Sequence, residues 1–413
     1  MKIKTLSIVV LFMICAVPEA ATAMEGNAEG FTLVRVIEFA AIHAPEVRLA
    51  TTRYAEGEAR LAAAQVRTLE NPKLDLTAGP RQGTENSVDV EVGLEIPLEL
   101  GRRRDKRVAL ARAGMEREKH TIGDVRRLAI AAAVGAYYRV LQAEAGLRLA
   151  RDRKTLAEEL LRIARERHLA GDAAKFEVNL TQTEVSRAES DIAAAQGRTA
   201  SVRTGLARTL GLSSGAELRI VGDIRERSFF DTLRSGPAPA ERADIQAAEA
   251  DVEASRAALS LAEAERMPDL AFRLSYKREA DENIALGGIA ISLPFLNPRP
   301  GLVQEARMQK QRAQITAELR RAAMSAEIEG ARQAYDAAIE AVRWIEAEGL
   351  PRQQENEALA SEGYRAGKIN LTTLLQVRRE ALEMGRNYLE RLGEAAVAGI
   401  ELVSASGTWS GAK

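Results

Sequence analysis

Residue types that stabilise large globular or disulfide-bonded domains are scarce in this chain. Its 413 residues include one cysteine, and aromatic residues make up only 4%. One cysteine excludes an intramolecular disulfide and a thiolate cluster for metal, and few aromatic side chains disfavour a large globular core. The formal net charge of −1 provides no basic surface for nucleic acid. Few prolines and many alanine and charged residues instead favour long, closely packed helices.

The N-terminus predicts export. Lys2 and Lys4 precede a short apolar run, and Ala21-Thr22-Ala23 follows as a small-residue cleavage site. The alternative is a membrane anchor, but the run is shorter than the ~20 apolar residues of a spanning helix. We expect residues 1–23 to be a cleaved signal peptide that takes Cys15 with it. No other run is long and apolar enough for a membrane helix, so spanning would require β-strands in a closed barrel.

The sequence contains an internal repeat with a period of about 197 residues. Asn71-Pro72-Lys73-Leu74 returns as Met267-Pro268-Asp269-Leu270, and His168-Leu169-Ala170-Gly171 returns as Tyr364-Arg365-Ala366-Gly367. Chance similarity of alanine-rich helices does not explain prolines and glycines that match at the breaks. The predicted organisation is a first repeat (24–212), a linker (213–240), a second repeat (241–407) and a tail (408–413).

Each repeat predicts a helix, a strand pair and two long helices joined by a tight turn. The strand pairs are expected at 73–97 and 269–294, and the helical hairpins at 102–211 and 302–403. No proline interrupts the chain between Arg102 and Ala170, so one helix there would be roughly 100 Å long. Small and apolar residues at 3-4 spacing predict coiled-coil seams in the returning helices: Val178, Thr181, Val185, Ala188, Ile192, Ala195, Thr199, Val202 and Leu206, then Leu371, Leu375, Leu382, Leu389, Leu392 and Ala396.

The strands alternate strictly between apolar and polar residues. A small soluble sheet with one buried face has the same alternation. The length of the helices favours a membrane sheet instead, and four strands cannot close a barrel, so several chains must contribute. The charged residues expected on the lumen face are Asp75, Asp89, Glu91, Glu95, Arg273 and Lys277.

In this order the motifs resemble the TolC-type outer-membrane efflux family, over about residues 31–407. The support comes from the two strand starts, the Ala136-Tyr137 and Ala334-Tyr335 pairs, and Tyr364-x-x-Gly367 followed by Leu374-Leu375. The resemblance implies a mainly α fold with a small β part. It implies a homotrimer with a 12-stranded outer-membrane β-barrel continued by an α-helical periplasmic tunnel. The implied function is an exit duct that works with a periplasmic adaptor and an inner-membrane pump of the RND type.

The cargo stays open at this point. The segment 96–104, which ends in Arg102-Arg103-Arg104, resembles the strand exit of the heavy-metal branch, although that branch often has glycine where this chain has Arg102. Heavy-metal cations are one alternative, and drugs or other small molecules are the other. No catalytic, cofactor or metal site is expected, because no phosphate loop or nucleophile-base motif is present and the three histidines lie far apart.

Two other classes of protein remain as alternatives, a periplasmic adaptor and a structural periplasmic coiled coil. An adaptor normally has one hairpin flanked by lipoyl and β-barrel sequence, and no such sequence is visible here.

The turns between the long helices are the predicted periplasmic tips. Gly171 and Gly367 accept the positive φ that a tight reversal needs. We expect the residues on either side of these glycines to be exposed, to dock the adaptor and to narrow the closed tunnel. Glu177 could place a ring of carboxylates in the constriction, and Thr373 is its equivalent in the second repeat. The predicted docking residues are Arg167, His168, Leu169, Ala170, Gly171, Asp172, Tyr364, Arg365, Ala366, Gly367 and Lys368.

Overall fold

The computed structural model describes residues 30–82, 87–213, 218–226, 230, 242–279, 281–293, 298–407 and 409. The predicted signal peptide, much of the linker and most of the tail lie outside these residues. The elements are α1 (Leu33–His43), α2 (Pro45–Ala64), β1 (Lys73–Arg81), β2 (Ser87–Leu98), α3 (Arg103–Leu169), α4 (Lys175–Leu210), α5 (Ala243–Ala264), β3 (Asp269–Glu279), β4 (Glu282–Ser292), α6 (Pro300–Trp344), a π-helical turn (Ile345–Gly349), α7 (Leu350–Arg365) and α8 (Leu371–Ser406). The chain is therefore mainly helical with a small sheet. Of the helices in these ranges, none combines the length and the apolar character needed to cross a bilayer.

The first hairpin consists of α3 and the returning helix α4. With 67 residues, α3 is about 100 Å long, as its proline-free sequence predicts. Most of the predicted seam of α4 is buried, including the polar side chain of Thr181. The Thr181 hydroxyl donates to the carbonyls of Glu177 and Val178, both at 3.0 Å. This local bonding lets a polar residue occupy the seam without an unsatisfied group.

The second hairpin has an interruption that the first lacks. Its outgoing helix runs from Pro300 to Arg365, but residues Ile345–Gly349 form a π-helical turn. Pro351 lies two residues after this turn. A proline ring clashes with the carbonyl four residues earlier in a regular α-helix. The wider π turn gives that ring room. The returning helix α8 buries the predicted seam residues Leu371, Leu375, Leu392 and Ala396, whereas Leu382 and Leu389 are half-buried.

The four strands form one antiparallel sheet in the order β1-β2-β3-β4, and the β2–β3 pair joins the two repeats. Leu74, Leu94, Leu274 and Gly287 lie opposite one another in one row across the sheet. The neighbouring row is Lys73, Glu95, Arg273 and Gly288. Because side chains alternate between faces, this register confirms the predicted apolar and charged faces.

The main core surrounds the middle of α3, between the sheet and the tips. Tyr137 and Tyr335, equivalent residues of the two repeats, are both buried in it, 3% and 0% exposed. The Tyr137 hydroxyl donates to the carbonyl of Val221 at 2.9 Å, and a bridge between Phe31 and Ile220 lies nearby in the sequence. Aromatic residues are therefore concentrated where the described part of the linker packs on the long helices.

The start of α5 contains a buried ion pair. Arg242 and Asp244 are 6% and 5% exposed, and a guanidinium nitrogen lies 2.8 Å from the carboxylate. Arg242 also pairs with Glu327 of α6 at 2.5 Å. In the first repeat the corresponding residues are Ala44, which is buried and apolar, and Glu46, which is exposed. The two repeats thus begin this helix with different chemistry.

Candidate functional site: hairpin tips and charged sheet face

Both hairpins reverse through the same backbone motif. Gly171 has φ +86° and Gly367 has φ +70°, a region that glycine enters without the Cβ clash of other residues. The helix ends are closed by paired hydrogen bonds of the Schellman type: Asp172 N–H to the Arg167 carbonyl (2.8 Å), Gly171 N–H to His168 (3.1 Å), Lys368 N–H to Gly363 (2.8 Å) and Gly367 N–H to Tyr364 (3.0 Å). Both glycines therefore adopt the conformation predicted for them.

The returning helices begin differently after these turns. Asn370 caps α8, because its side-chain oxygen accepts from the Thr373 N–H at 2.8 Å and from the Thr373 hydroxyl at 3.0 Å. Ala174 stands at the matching position before α4 and offers no side-chain cap. Glu177, the equivalent of Thr373, lies in the first turn of α4, where the helix dipole favours its negative charge.

Tyr364 connects the two tips and is buried, contrary to the exposure expected from its position beside a turn. It is only 1% exposed, and its hydroxyl donates to Glu177 at 3.0 Å. The Arg167 guanidinium lies 4.9 Å from the centre of its ring. Burial, and then the hydrogen bond to Glu177, raise the pKa of Tyr364. The ring lies in a buried cluster with Leu374 of its own repeat and Leu160 of the other. The sequence could not reveal this, because it does not show how the two hairpins pack.

The other predicted docking residues lie around the two turns. Ala170, Asp172, Arg365, Ala366 and Lys368 are exposed, whereas Arg167 and His168 are half-buried. Arg365 forms an ion pair with Glu159 of α3. The tips thus carry exposed side chains of mixed character, and contacts across the repeats hold them together.

The first tip also carries an aromatic residue that is not among the predicted docking residues. Phe176 is 70% exposed, and Leu169, on the other side of the same turn, is 86% exposed. The equivalent residues of the second tip are Thr372 and Arg365, both polar and exposed. An aromatic residue beside a turn, in a chain with so few, was the available signal.

The charged face of the sheet brings the six predicted lumen residues together. Arg273 pairs with Glu95 at 2.5 Å, and Lys277 pairs with Glu279. Arg81 contacts both Asp89 and Glu279 at 3.0 Å, so Arg81 and Glu279 extend the predicted set. The opposite face is apolar and open, and includes Leu74 and Leu76, each 71% exposed. Within the described ranges, no group of three or more His, Cys, Asp or Glu is arranged to hold a metal ion.

A family model of outer membrane efflux proteins matches residues 36–212 and 236–408, one stretch for each repeat. The two matches contain both hairpins and the whole sheet. The chain belongs to the outer membrane efflux protein family. It is therefore an outer-membrane efflux channel protein that extends into the periplasm, and the match leaves the two alternative classes without support.

Similarities to individual proteins agree with this family assignment. The cobalt-zinc-cadmium resistance protein CzcC of Cupriavidus metallidurans is 26% identical over 340 residues, covering 80% of this chain and 79% of the relative. The CusC structure has a TM-score of 0.74 at 18% identity and covers 91% of each chain. The MtrE outer membrane channel of Neisseria gonorrhoeae, solved in its open state, has a TM-score of 0.74 at 17% identity, covering 91% of this chain and 88% of that one. Such identities to solved structures show a shared fold.

The junction between strand and long helix in this efflux protein explains its arginine-rich motif. Arg104 and Arg107 donate to the carbonyls of Gln65 and Ala64 at the end of α2. Arg103 donates to the carbonyl of Ala264, the last residue of α5, at 3.2 Å. Carbonyls at a helix C-terminus lack partners within the helix, and cations are favoured there. The arginines therefore fasten the two short helices to the start of α3.

Arg102 and its counterpart Arg299 lie immediately before the outgoing long helices α3 and α6, respectively. Both adopt the left-handed conformation, with φ +55° and +51°. A non-glycine residue there is strained. The left-handed conformation explains why the motif that this segment resembles often has glycine at the position of Arg102.

Proposed function

We propose that this protein is the passive exit duct of a tripartite efflux system, assembled as a trimer in which three sheets close one barrel. The observation that carries the proposal is a sheet with two unpaired edges, β1 and β4, one exposed apolar face and one charged face. Unpaired edges are unfavourable in lipid, whereas pairing β4 with β1 of the next copy removes them. The apolar face would then contact lipid, and the charged face would line the lumen. We assign the duct no catalytic step and no cofactor.

The repeat predicts the register of that intermolecular strand pair. Leu74 opposite Leu94 in the first repeat corresponds to Leu270 opposite Ile291 in the second. In the internal β2–β3 pair, Leu94 lies opposite Leu274. The same correspondence replaces Leu94 by Ile291 and Leu274 by Ala78, so Ile291 should lie opposite Ala78 of the next copy. Glu95 opposite Arg273 becomes Ser292 opposite Thr77.

Cysteine cross-linking tests both the trimer and its register. Ser292→Cys combined with Thr77→Cys should give a disulfide-linked trimer on oxidation in membranes, because opposite residues lie within reach of a disulfide. The matched control is Ser292→Cys with Asp75→Cys, on the same face but two residues out of register. Equal cross-linking of both pairs, or of neither, would contradict the proposed seam.

We assign the tips to docking of the periplasmic adaptor, which connects the duct to an inner-membrane pump. The support is the exposed and mixed surface around Ala170 and Ala366, together with the uncovered Leu169 and Phe176. Ala170→Trp and Ala366→Trp should abolish export while trimer yield stays normal. Ser186→Trp, at an exposed site on α4 away from the turn, is the control. Normal export by both tip variants would refute the docking role.

We also assign the closed constriction to the region of Glu177 and Thr373. The bond from Tyr364 to Glu177 holds the two tips together within one chain, so its loss should loosen the closed state. Tyr364→Phe should increase the passive entry of large hydrophilic antibiotics into cells, at normal protein level. Unchanged entry would argue against a constriction at this position.

Heavy-metal cations are the proposed cargo. The relative CzcC is named for cobalt, zinc and cadmium resistance, and segment 96–104 resembles that branch. Deletion of the gene should lower the concentrations of these metals that inhibit growth, and the wild-type gene should restore them. Sensitivity to drugs alone would replace metals by drugs as the cargo.

A further inference from the structure

A cleft between the two hairpins contains guanidinium groups in excess of the carboxylates that could pair with them. It has a volume of about 130 Å³ and lies between α3 and α4 of the first repeat and α7 and α8 of the second. Four arginines line it, together with three acidic residues. Leu160 and Leu375, both buried, lie beside it. The cleft is about 16 Å from the first tip, judged from the helical rise between Leu160 and Gly171.

Two of the four arginines, Arg153 and Arg378, contact carbonyl groups and no carboxylate within the described residues. Arg153 donates to the Arg378 carbonyl at 2.8 Å, and Arg378 donates to the Leu156 carbonyl at 2.9 Å. The Nε of Arg378 is buried and has no hydrogen-bond partner. Burial lowers the pKa of both guanidinium groups, that of Arg153 to about 10. A half-buried charge of this kind is stabilised by a partner of opposite charge.

The acidic residues of the cleft do not supply that partner. Glu184 is shared between Arg187 at 3.2 Å and Arg379 at 3.5 Å, and Asp191 pairs with Arg386 at 3.4 Å. Glu357 lines the cleft and acts on Arg153 and Arg378 through its charge, but within the described residues it lies beyond ion-pair distance of both. The guanidinium groups of Arg153 and Arg378 therefore face the cavity without a carboxylate in direct contact.

We propose that this cleft binds a small oxyanion, of the size and charge of phosphate or sulfate, between Arg153 and Arg378. Guanidinium groups bind such anions through charge-assisted and often paired hydrogen bonds. Arg153 belongs to the first repeat and Arg378 to the second. The bound anion therefore strengthens the contact between the hairpins near their tips.

Binding of inorganic phosphate to the purified full-length protein in detergent tests the site, by calorimetry and by thermal unfolding against chloride at equal ionic strength. Phosphate should bind and raise the melting temperature of the wild type. Arg378→Gln and Arg153→Gln should weaken binding about tenfold or more. Arg352→Gln, at an exposed residue that pairs with Glu348 outside the cleft, should leave binding unchanged.

Glu357→Gln provides a variant in the opposite direction. It removes a negative charge from the cleft wall, so phosphate should bind more tightly than to the wild type. If chloride stabilises the wild type as much as phosphate does, or if Glu357→Gln does not change the affinity, the site is refuted. Sulfate should compete with phosphate. The readout is binding, so its outcome is independent of export and of the proposed cargo.

Discussion

The two repeats reach the same backbone with different side chains, and the difference separates what the fold requires from what it tolerates. Each outgoing helix follows a residue with positive φ, Arg102 or Arg299, and each tip has a glycine with positive φ, Gly171 or Gly367. These positions recur because the backbone must change direction there. Between these positions the side chains of the two repeats differ, since a helix needs only small or apolar residues on the face that it buries.

The divergence is largest in two places. The outgoing helix of the first repeat is uninterrupted, whereas that of the second accommodates Pro351 with a π turn. Ala44 starts α2 as a buried apolar residue, whereas Arg242 forms a buried ion pair at the start of α5. The second repeat has thus placed polar chemistry where the first has apolar packing.

The largest effect on stability is expected when Arg242 of the second repeat is replaced by alanine, the residue at the equivalent position in the first repeat. Arg242→Ala reproduces Ala44, but among the described residues it leaves Asp244 buried with Arg320, at 3.5 Å, as its remaining ion-pair partner. Removing one partner of a buried ion pair costs about 3–5 kcal/mol. Urea unfolding in detergent, followed by helical circular dichroism, measures this. The double variant with Asp244→Ala should recover part of the loss; if it is less stable than Arg242→Ala, buried charge is not the cause.

The same pair predicts a dependence on pH. Burial opposes ionisation of Asp244, but the hydrogen bond and charge of Arg242 outweigh it, and the pKa of Asp244 is lowered. A lowered pKa stabilises the fold above the unfolded value, near 3.8, and this stability is lost as the pH falls through the folded value. In Arg242→Ala the folded-state pKa of Asp244 is lowered less, so the acid-dependent loss of stability at this group should be smaller and should end at higher pH. Identical acid profiles of the two proteins would exclude this linkage.

Charges on the apolar sheet face should have the next largest effect. Val92 and its repeat equivalent Ile289 lie on that face, and an arginine facing lipid near the midplane costs about 2–4 kcal/mol. Val92→Arg and Ile289→Arg should both reduce trimer yield, whereas Glu91→Gln on the charged face should not. Val90 is a weaker test position, because Arg278 already lies opposite it. Equal yields for all three variants would contradict the assignment of faces.

Local features that depend on backbone geometry could be predicted from the sequence. Alternation gave the sheet faces, proline-free length gave α3, and the matched glycines gave the turns. Features that depend on contacts between the repeats could not, because sequence order does not show which helix covers which. Tyr364 is buried in a cluster that combines its own repeat with Leu160 of the other, and Arg153 meets Arg378 only across the two hairpins. Pro351 was visible in the sequence, but the π turn before it depends on how the helix absorbs the clash.

The tip glycines should respond equally in the two repeats. A Cβ at Gly171 or at Gly367 would meet no atom within 4 Å. The cost of Gly171→Ala or Gly367→Ala is therefore backbone strain alone, about 1–2 kcal/mol for the left-handed region. Hydrogen exchange of the amides beside each turn should show similar increases. A much larger effect at one tip would mean that its surroundings, rather than its φ, require glycine.

The smallest expected effect is a gain in stability at the strand-to-helix junction. Arg102 has φ +55°, and its side chain is 83% exposed and pairs with the nearby Asp105, at 2.9 Å. Glycine relieves the left-handed strain, but it also increases the freedom of the unfolded chain, so the net gain of Arg102→Gly is about 0.5–1 kcal/mol. The exposed ion pair contributes little to the balance. Arg103→Gly is the contrasting variant, because its guanidinium bonds the end of α5, and it should destabilise. If Arg102→Gly is also destabilising in urea unfolding, its side chain has a role at the junction that the strained backbone preserves.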